Sequence, residues 1–396
     1  MSYPTLVHSG FDTLDFAMQG FLPFGVVEHL GRAKDKAQKN KTPTCIDLGP
    51  KQIPVQVLGH GRKGGYAFQL NSGPVGAVYA FKDSQSANDW NIFVNIGSAT
   101  LLQYGYHEAK RIALSELKGF GAILGQESIN RVDYCFDFLM NGFELNSDQL
   151  IAHARSSKRV HVEEPNNNKS MYALRGRKIE TLTVGKMPNL QVQIYDKRRE
   201  AIQDRKLYWF PVWGTDANDP EQQIWRVEVR AGKKHLKDRW GLNTFQDIED
   251  CFGDVVCAAL DKIRYIDDEQ VFDTLNVTRA RIHPLWVEVQ EHAKQALFDH
   301  RAGLETSTIK EQMRNQVIQN SQINLSAQAR RLAIGLGLTD QQIIEHLPKI
   351  IHDTLALDIE NDSEKFLEKT NKTKQKIQLI EDEEFRTDTF IKHLVL

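Results

Sequence analysis

Apolar and polar residues change period several times along the chain, and each change marks an expected element. Between residues 44 and 104 the short apolar runs IPVQVLG, GYAFQL, VGAVYAF and NIFVNIG are separated by Gly and Pro, as in successive β-strands. Ahead of them, GRAKDKAQKNKTP (31–43) is polar and basic and reads as a loop, after a first stretch in which apolar and turn-like residues alternate. In 107–124 apolar side chains recur at Ile112, Ala113, Leu117 and Phe120 before a Gly-rich end, which predicts a helix. RVDYCFDFLM (131–140) alternates as a strand, and DQLIAHARSS (148–157) reads as a short helix. MYALRGRKIETLTVG, LQVQIYDK and QIWRVEVRA predict three further strands, with a helix over RREAIQDRK. From NTFQDIEDCFGDVVCAALDKI (243–263) onward the pattern is helical. The expected fold is α+β: a central, mainly antiparallel sheet with flanking helices over 1–290, and an all-helical C-terminal region over 291–396.

Side chains alternate across a strand. Arg131, Asp133, Cys135, Asp137 and Leu139 therefore share one face, with Val132, Tyr134, Phe136 and Phe138 behind them. Gln191, Gln193, Tyr195 and Lys197 share another face, as do Arg226, Glu228 and Arg230. If these strands are neighbours, one sheet has an apolar back and a front of carboxylates, a tyrosine, a lysine and arginines. A solvated face with cross-strand ion pairs has the same pattern, each pair contributing tenths of a kcal/mol.

The 396 residues suffice for two domains, and 41% hydrophobic with 26% charged residues is ordinary globular composition. This excludes collagen-like, disordered and coiled-coil chains. No apolar run approaches the roughly 20 residues of a membrane helix, and MSYPTLVHSGFDTLDF has no basic and apolar leader, so no membrane partner and no secretory signal are expected. The cysteines Cys45, Cys135, Cys251 and Cys257 form no paired CxxC pattern, which fits a reducing cytoplasm. The net charge of −2 conceals a basic middle: residues 151–240 hold 19 Lys and Arg against 11 Asp and Glu. Such a distribution suits a nucleic-acid binder with acidic flanks, and equally an uneven surface with no partner.

Four stretches in order then carry a resemblance: Arg131-Val-Asp-Tyr-Cys-Phe-Asp137, Glu180-Thr-Leu-Thr-Val-Gly185, Gln193-Ile-Tyr-Asp-Lys-Arg-Arg-Glu200 and Trp225-Arg-Val-Glu-Val-Arg230, followed by His283-Pro-Leu-Trp286. In these motifs the chain resembles the Rep-trans replication initiation factors of rolling-circle plasmids and related relaxases. The likeness covers roughly residues 90–290 and leaves the tail uncovered. It implies a protein that nicks and rejoins one DNA strand through a 5′-phosphotyrosine, either a replication initiator or a conjugative relaxase. A non-catalytic DNA-binding protein using the same sheet is the alternative of a different class.

Carried onto matched positions, the resemblance makes Tyr195 the nucleophile and makes Asp133, Glu228 and Glu200 ligands of Mg²⁺ or Mn²⁺. Lys197 would lower the phenol pKa or hold the phosphate. A phenol is ionised about one part in a thousand at pH 7, so activation must supply about 4 kcal/mol. A nearby cation, a metal or a positioned base does this. Asp137, ~13 Å along the strand from Asp133, would instead hold Arg131 or terminate the strand. Arg131, Arg226, Arg230, Lys233, Lys234 and Lys237 are the candidate DNA contacts. Besides origin DNA, a host helicase and a second copy of the chain are candidate partners. Tyr172 and Tyr208 remain alternative nucleophiles. Val160-His161-Val162-Glu163 has one histidine where other nicking enzymes carry a His-hydrophobe-His pair.

Other features read as structure first. GHGRKGG (59–65) lacks the Gly-Lys-Ser/Thr of a phosphate loop and reads as a glycine turn, with a basic hairpin on DNA as the alternative. Cys251 and Cys257 read as core residues of a helix. In SAQARRLAIGLGLTDQQIIEHL (326–347) two helices flank a Gly-Leu-Gly-Leu-Thr turn, with Thr339 placed to cap the second; two packed helices with no DNA role is the reading, with a DNA-binding helix-turn-helix as the alternative.

Overall fold

The computed structural model describes residues 3–152, 172–175, 178–267, 280–299 and 306–377. Val160-His161-Val162-Glu163 lies outside them. A long strand β1 (Thr5–Phe21) leads into helix α1 (Phe24–Asn40) and then a run of short strands, β2 (Thr44–Leu48), β3 (Ile53–Val57), β4 (Phe68–Asn71), β5 (Ala77–Phe81) and β6 (Trp90–Ile96). Helix α2 (Ser98–Gly119) returns the chain to a second long strand, β7 (Ile123–Leu139), followed by β8 (Leu150–Ala152), β9 (Tyr172–Arg175), β10 (Lys178–Gly185) and β11 (Leu190–Asp196). Short helices α3 (Lys197–Gln203) and α4 (Trp209–Trp213) precede β12 (Ile224–Gly232) and α5 (Lys233–Trp240). Then come α6 (Phe245–Asp261), β13 (Ile263–Tyr265), α7 (Pro284–His292), α8 (Thr306–Gly335), α9 (Asp340–Asn361) and α10 (Ser363–Ile377).

Eleven strands form one sheet in the order β2-β3-β4-β5-β6-β1-β7-β12-β11-β10-β9, and every neighbouring pair is antiparallel. The α+β class, with flanking helices and a helical C-terminal region, is as the sequence pattern implied. The back of the sheet is the core. Tyr134, Phe136, Phe138, Val192, Ile194, Val227 and Val229 are buried there in one apolar cluster with residues of α2 and α6. Within it, Phe11 stacks on Phe252 at 5.8 Å and Phe16 meets Phe245 edge-on at 4.9 Å. Helix α6 starts sharply because Thr244 and Asp247 form a capping box, and Cys251 and Cys257 pack against this core as expected. Helix α2 bends at Gly105, whose φ of 70° and ψ of 176° a residue with a Cβ rarely adopts.

Several local expectations are corrected. Residues 31–40 are helix, not loop: Leu30, Ala33 and Ala37 form a narrow buried stripe on α1, and the alanines made it easy to overlook. The first stretch is a single strand of 17 residues. The start of 148–157 is a 3₁₀ turn and then β8, which pairs with β13, so Leu150 and Ile151 are buried as strand residues; 153–157 lie outside the described residues. The segment beyond 243 contains that same β13. Thr339 does cap α9, through a capping box with Gln342.

Packing does not stop at the expected boundary of 290. Ala293, Leu297 and Phe298 join the main core, where Phe298 meets Phe11 at 5.0 Å and Tyr106 at 4.9 Å. Ile309 of α8 is fully buried beside Trp209 and Trp213. Farther along the tail, Ile344, Leu357 and Leu367 are exposed. Leu297→Ala should therefore destabilise the protein by about 2–5 kcal/mol. Leu357→Ala should stay within about 0.5 kcal/mol. Urea denaturation of the two variants checks the contrast.

Candidate active site

Cross-strand register builds the site. In β7, β12 and β11, Asp137 lies opposite Arg226 and Arg226 opposite Tyr195; Cys135 lies opposite Glu228 and Glu228 opposite Gln193; Asp133 lies opposite Arg230. The three polar faces expected from alternation thus form one continuous front. Strand β1 adds a carboxylate, because its register shifts between Phe11 and Thr13 and the extra residue is Asp12. A bulge of this kind re-aims a side chain, and here Asp12 reaches Arg226.

Arg226 lies on the front with no exposed side-chain surface. Its Nε and Nη2 donate to the two oxygens of buried Asp137 at 2.6 and 2.8 Å, and its Nη1 donates to Asp12 at 2.6 Å. The Trp209 ring lies 4.5 Å from the guanidinium carbon, and Trp213 Nε1 donates to Asp137 at 2.8 Å. Burial raises and Arg226 lowers the Asp12 carboxyl, with further lowering from Lys197; the cations win and hold it at about 2.

Next to this pair, Tyr195 Oη donates to Glu228 Oε2 at 2.8 Å. Arg230 grips the same carboxylate with two bonds, Nε to Oε1 at 2.8 Å and Nη2 to Oε2 at 3.0 Å. Glu228 is buried while Tyr195 is half-buried. Burial, together with the Glu228 carboxylate, pushes the Tyr195 phenol well above its ordinary value. Strand β11 ends at Asp196, one residue after Tyr195, because the Asp196 side chain accepts from the Arg199 N–H at 2.9 Å and caps α3. Lys197 is therefore the first helical residue rather than a strand residue on the face of Tyr195. Its buried ammonium still comes within 5.7 Å of the Tyr195 ring centre and 5.3 Å of the Trp209 ring centre.

The structure sorts the residues singled out from sequence. Tyr195, Glu228, Arg230 and Lys197 come together. Asp137 holds Arg226, not Arg131; Arg131 instead donates from Nε to Asp133 at 2.9 Å. Arg226 cannot be a DNA contact as expected, since it is sealed beneath Trp209 with both its carboxylate partners. Lys233, Lys234 and Lys237 are exposed on α5. Tyr208 is buried, with its hydroxyl 3.5 Å from Ser98 Oγ; Tyr172 stands in β9, paired through its backbone with Leu182. Asp12, Trp209 and Trp213 were not anticipated. The carboxylates expected to hold Mg²⁺ or Mn²⁺ each have a cation already: Asp133 has Arg131, Glu228 has Arg230, and Glu200 has Lys197 at 2.5 Å and Lys206 at 2.6 Å. Among the described residues no three Asp, Glu, His or Cys side chains converge on one point. This donor set does not fit a divalent ion without displacement of an arginine or lysine.

Two outcomes follow from these charges. Arg226→Met leaves Asp137 and Asp12 without their cation and should cost about 3–5 kcal/mol in urea denaturation, the penalty of stranding a buried charge. Burial, opposed by Arg131 and reinforced by Glu228, raises the Asp133 carboxyl to about 7. A carboxyl raised on folding contributes stability that is complete below its unfolded value of about 4 and is lost as pH rises through the folded value. The stability of the wild type relative to Asp133→Asn should therefore decline between about pH 4 and about pH 7, as read by urea denaturation across that range.

Compared with known proteins, the chain matches no family model and no curated sequence.

Proposed function

We propose that this protein nicks and rejoins one strand of DNA through a phosphotyrosine on Tyr195, as a replication initiator of a plasmid or mobile element. The observation that carries the reading is the Tyr195–Glu228–Arg230 arrangement: a nucleophile donating to a carboxylate at 2.8 Å, and that carboxylate fixed by a two-pronged arginine. Nucleophile, base and orienting group in hydrogen-bond sequence are the parts covalent catalysis needs. The motif resemblance supplies the substrate class.

In the proposed reaction Tyr195 Oη attacks the phosphorus while its proton moves to Glu228 Oε2. The bond from phosphorus to the 3′ oxygen breaks, and that oxygen takes a proton from solvent water to become the free 3′-hydroxyl, while Glu228 keeps the tyrosine proton. The 5′ phosphate stays on Tyr195. Rejoining runs the same steps backwards, with the 3′-hydroxyl attacking the phosphotyrosine and Glu228 returning the proton. Because the Tyr195 phenol lies well above its ordinary value, it waits protonated, and a base in contact is the matching form of activation. The Lys197 ammonium beside the ring favours the phenolate as it forms.

The test is incubation with a single-stranded oligonucleotide carrying the cognate nick site, with Mg²⁺, Mn²⁺ and EDTA arms run in parallel to read any ion requirement. A covalent adduct mapped by mass spectrometry to Tyr195 is the expected result. Tyr195→Phe should abolish it, and Glu228→Gln should slow its formation by about 10²- to 10⁴-fold, the range for a lost general base. An adduct on Tyr172 or Tyr208 would overturn the assignment, and binding without any adduct would favour a non-catalytic DNA-binding protein.

A further inference from the structure

Two sets of cations differ in their partners. Arg131, Lys197, Lys206, Arg226 and Arg230 are all ion-paired with carboxylates. Arg62 and Lys82 form no ion pair or side-chain hydrogen bond among the described residues; each lies over an aromatic ring. The Arg62 guanidinium is 4.0 Å from the centre of the Phe93 ring, and the Lys82 ammonium 5.4 Å from that of Tyr66. Tyr66 in turn meets Phe93 edge-on at 5.9 Å.

This cluster sits on the same face as the tyrosine. On β6, Ile92, Val94 and Ile96 enter the core behind the sheet, which turns Phe93 and Asn95 to the front. Asn95 pairs with Asp15 of β1, its amide donating to the Asp15 carboxylate, and Asp15 lies opposite Arg131 of β7. The bridge between Arg62 and Tyr66 closes the GHGRKGG turn, and the contacts of both residues with Phe93 bring it to this front. Burial raises the Asp15 carboxyl, while its hydrogen bond from Asn95 and the charges of Arg131 and Arg62 pull it down. From β12, which carries Arg230, to β6, which carries Phe93, is three strand steps, about 14 Å at the usual spacing.

Resting on the proposed tyrosine chemistry, we infer that the front face from Arg230 and Arg131 to Arg62, Tyr66 and Lys82 is the track for single-stranded DNA flanking the nick. Unpaired cations meet phosphates, and half-buried Tyr66 offers a surface on which an unpaired base stacks; basic grooves with aromatic rings bind single strands in this way. Duplex DNA, whose bases are already stacked, has no use for the ring. The occupant is therefore single-stranded.

The experiment measures binding of fluorescein-labelled oligothymidylate by anisotropy over a salt series, for the full chain and for Arg62→Ala/Lys82→Ala and Tyr66→Ala. Circular dichroism melts confirm that the variants fold, and Arg62→Lys with Tyr66→Phe serves as the milder pair. Removing both cations should weaken binding at least tenfold and lower the slope of log affinity against log salt by about 0.7 for each phosphate that is no longer neutralised. Tyr66→Ala should weaken it about tenfold, with Tyr66→Phe close to wild type. Folded Ala variants that bind as tightly as the wild type, with the same slope, would overturn the track. Adduct formation on Tyr195 is read on the same proteins: an adduct with unchanged binding sinks the track alone, whereas binding sensitive to Arg62 and Lys82 without any adduct sinks the nicking chemistry alone.

Discussion

A guanidinium with no exposed surface tolerates few arrangements around it, and Arg226 sets those around the centre of this sheet. Its donors go to Asp137 on β7 and to Asp12 on β1, and its flat face meets Trp209 of α4. Leaving any of these carboxylates unmatched would strand a buried charge. The bulge in β1, the register of β7 against β12, and the seat of α4 on the front all follow from that requirement. A one-residue slip of β12 would carry Arg226 into the apolar back of the sheet and bring Val227 to the front. Because the register is locked, the cross-strand partner of Arg226 on β11 is Tyr195, and the next front residue on β12 is Glu228. The Tyr195–Glu228 pair is thus positioned by a charge cluster built around a guanidinium that has no exposed surface.

Strands with a clean period of two revealed themselves in the sequence. In 226–230 polar and apolar residues alternate without interruption, and in 131–139 only Cys135 and Leu139 depart from the alternation, so both the strands and the two faces were legible, and the strands do prove to be neighbours. What escaped depends on contacts distant in sequence or on breaks in the period. Asp12 enters the site only because a bulge inserts it, and nothing in GFDTLDF marks which residue is extra. Lys197 looks like a strand residue until Asp196 is seen capping a helix. WFPVW reads as a generic apolar run, although Trp209 and Trp213 cover the buried arginine. The stripe on α1 is made mostly of alanine, too weak a signal against GRAKDKAQKNK. Asp133 and Glu200 were legible as front carboxylates, but their cation partners were not, and those partners decide what the carboxylates do.

The same distinction changes the meaning of the basic middle. A surplus of Lys and Arg over 151–240 suggests a phosphate-binding surface, yet Lys197, Arg199, Lys206, Arg226 and Arg230 all face carboxylates. Those charges hold the fold and the site together. Among the described residues of the segment, exposed cations are found instead on α5, at Lys233, Lys234, Lys237 and Arg239, and at Lys186 and Arg205. The tail is likewise two things rather than one: α8 begins inside the molecule, with Ile309 against the tryptophans that cover Arg226, while Ile344, Leu355, Leu357 and Ile359 of α9 and Leu367 of α10 lie open.

The charge balance of the front also bears on how a tyrosine there would react. A phenol made acidic in advance is a weaker nucleophile and leaves more readily, so it favours the broken strand less. Here burial and Glu228 push Tyr195 the other way. Bringing its oxygen to a phosphate as a phenolate from a protonated rest state at neutral pH costs more than the roughly 4 kcal/mol of a free phenol. That cost falls away if the proton leaves as the bond to phosphorus forms, because negative charge then appears on the phosphate oxygens rather than on the phenol. Glu228 is placed to take the proton, and Arg230 holds its carboxylate aligned with two hydrogen bonds. In the reverse direction the same carboxylic acid returns the proton to the departing phenol oxygen. A buried base shared between a tyrosine and an arginine therefore suits a reaction that must run both ways with little difference in energy between the cut and the joined strand.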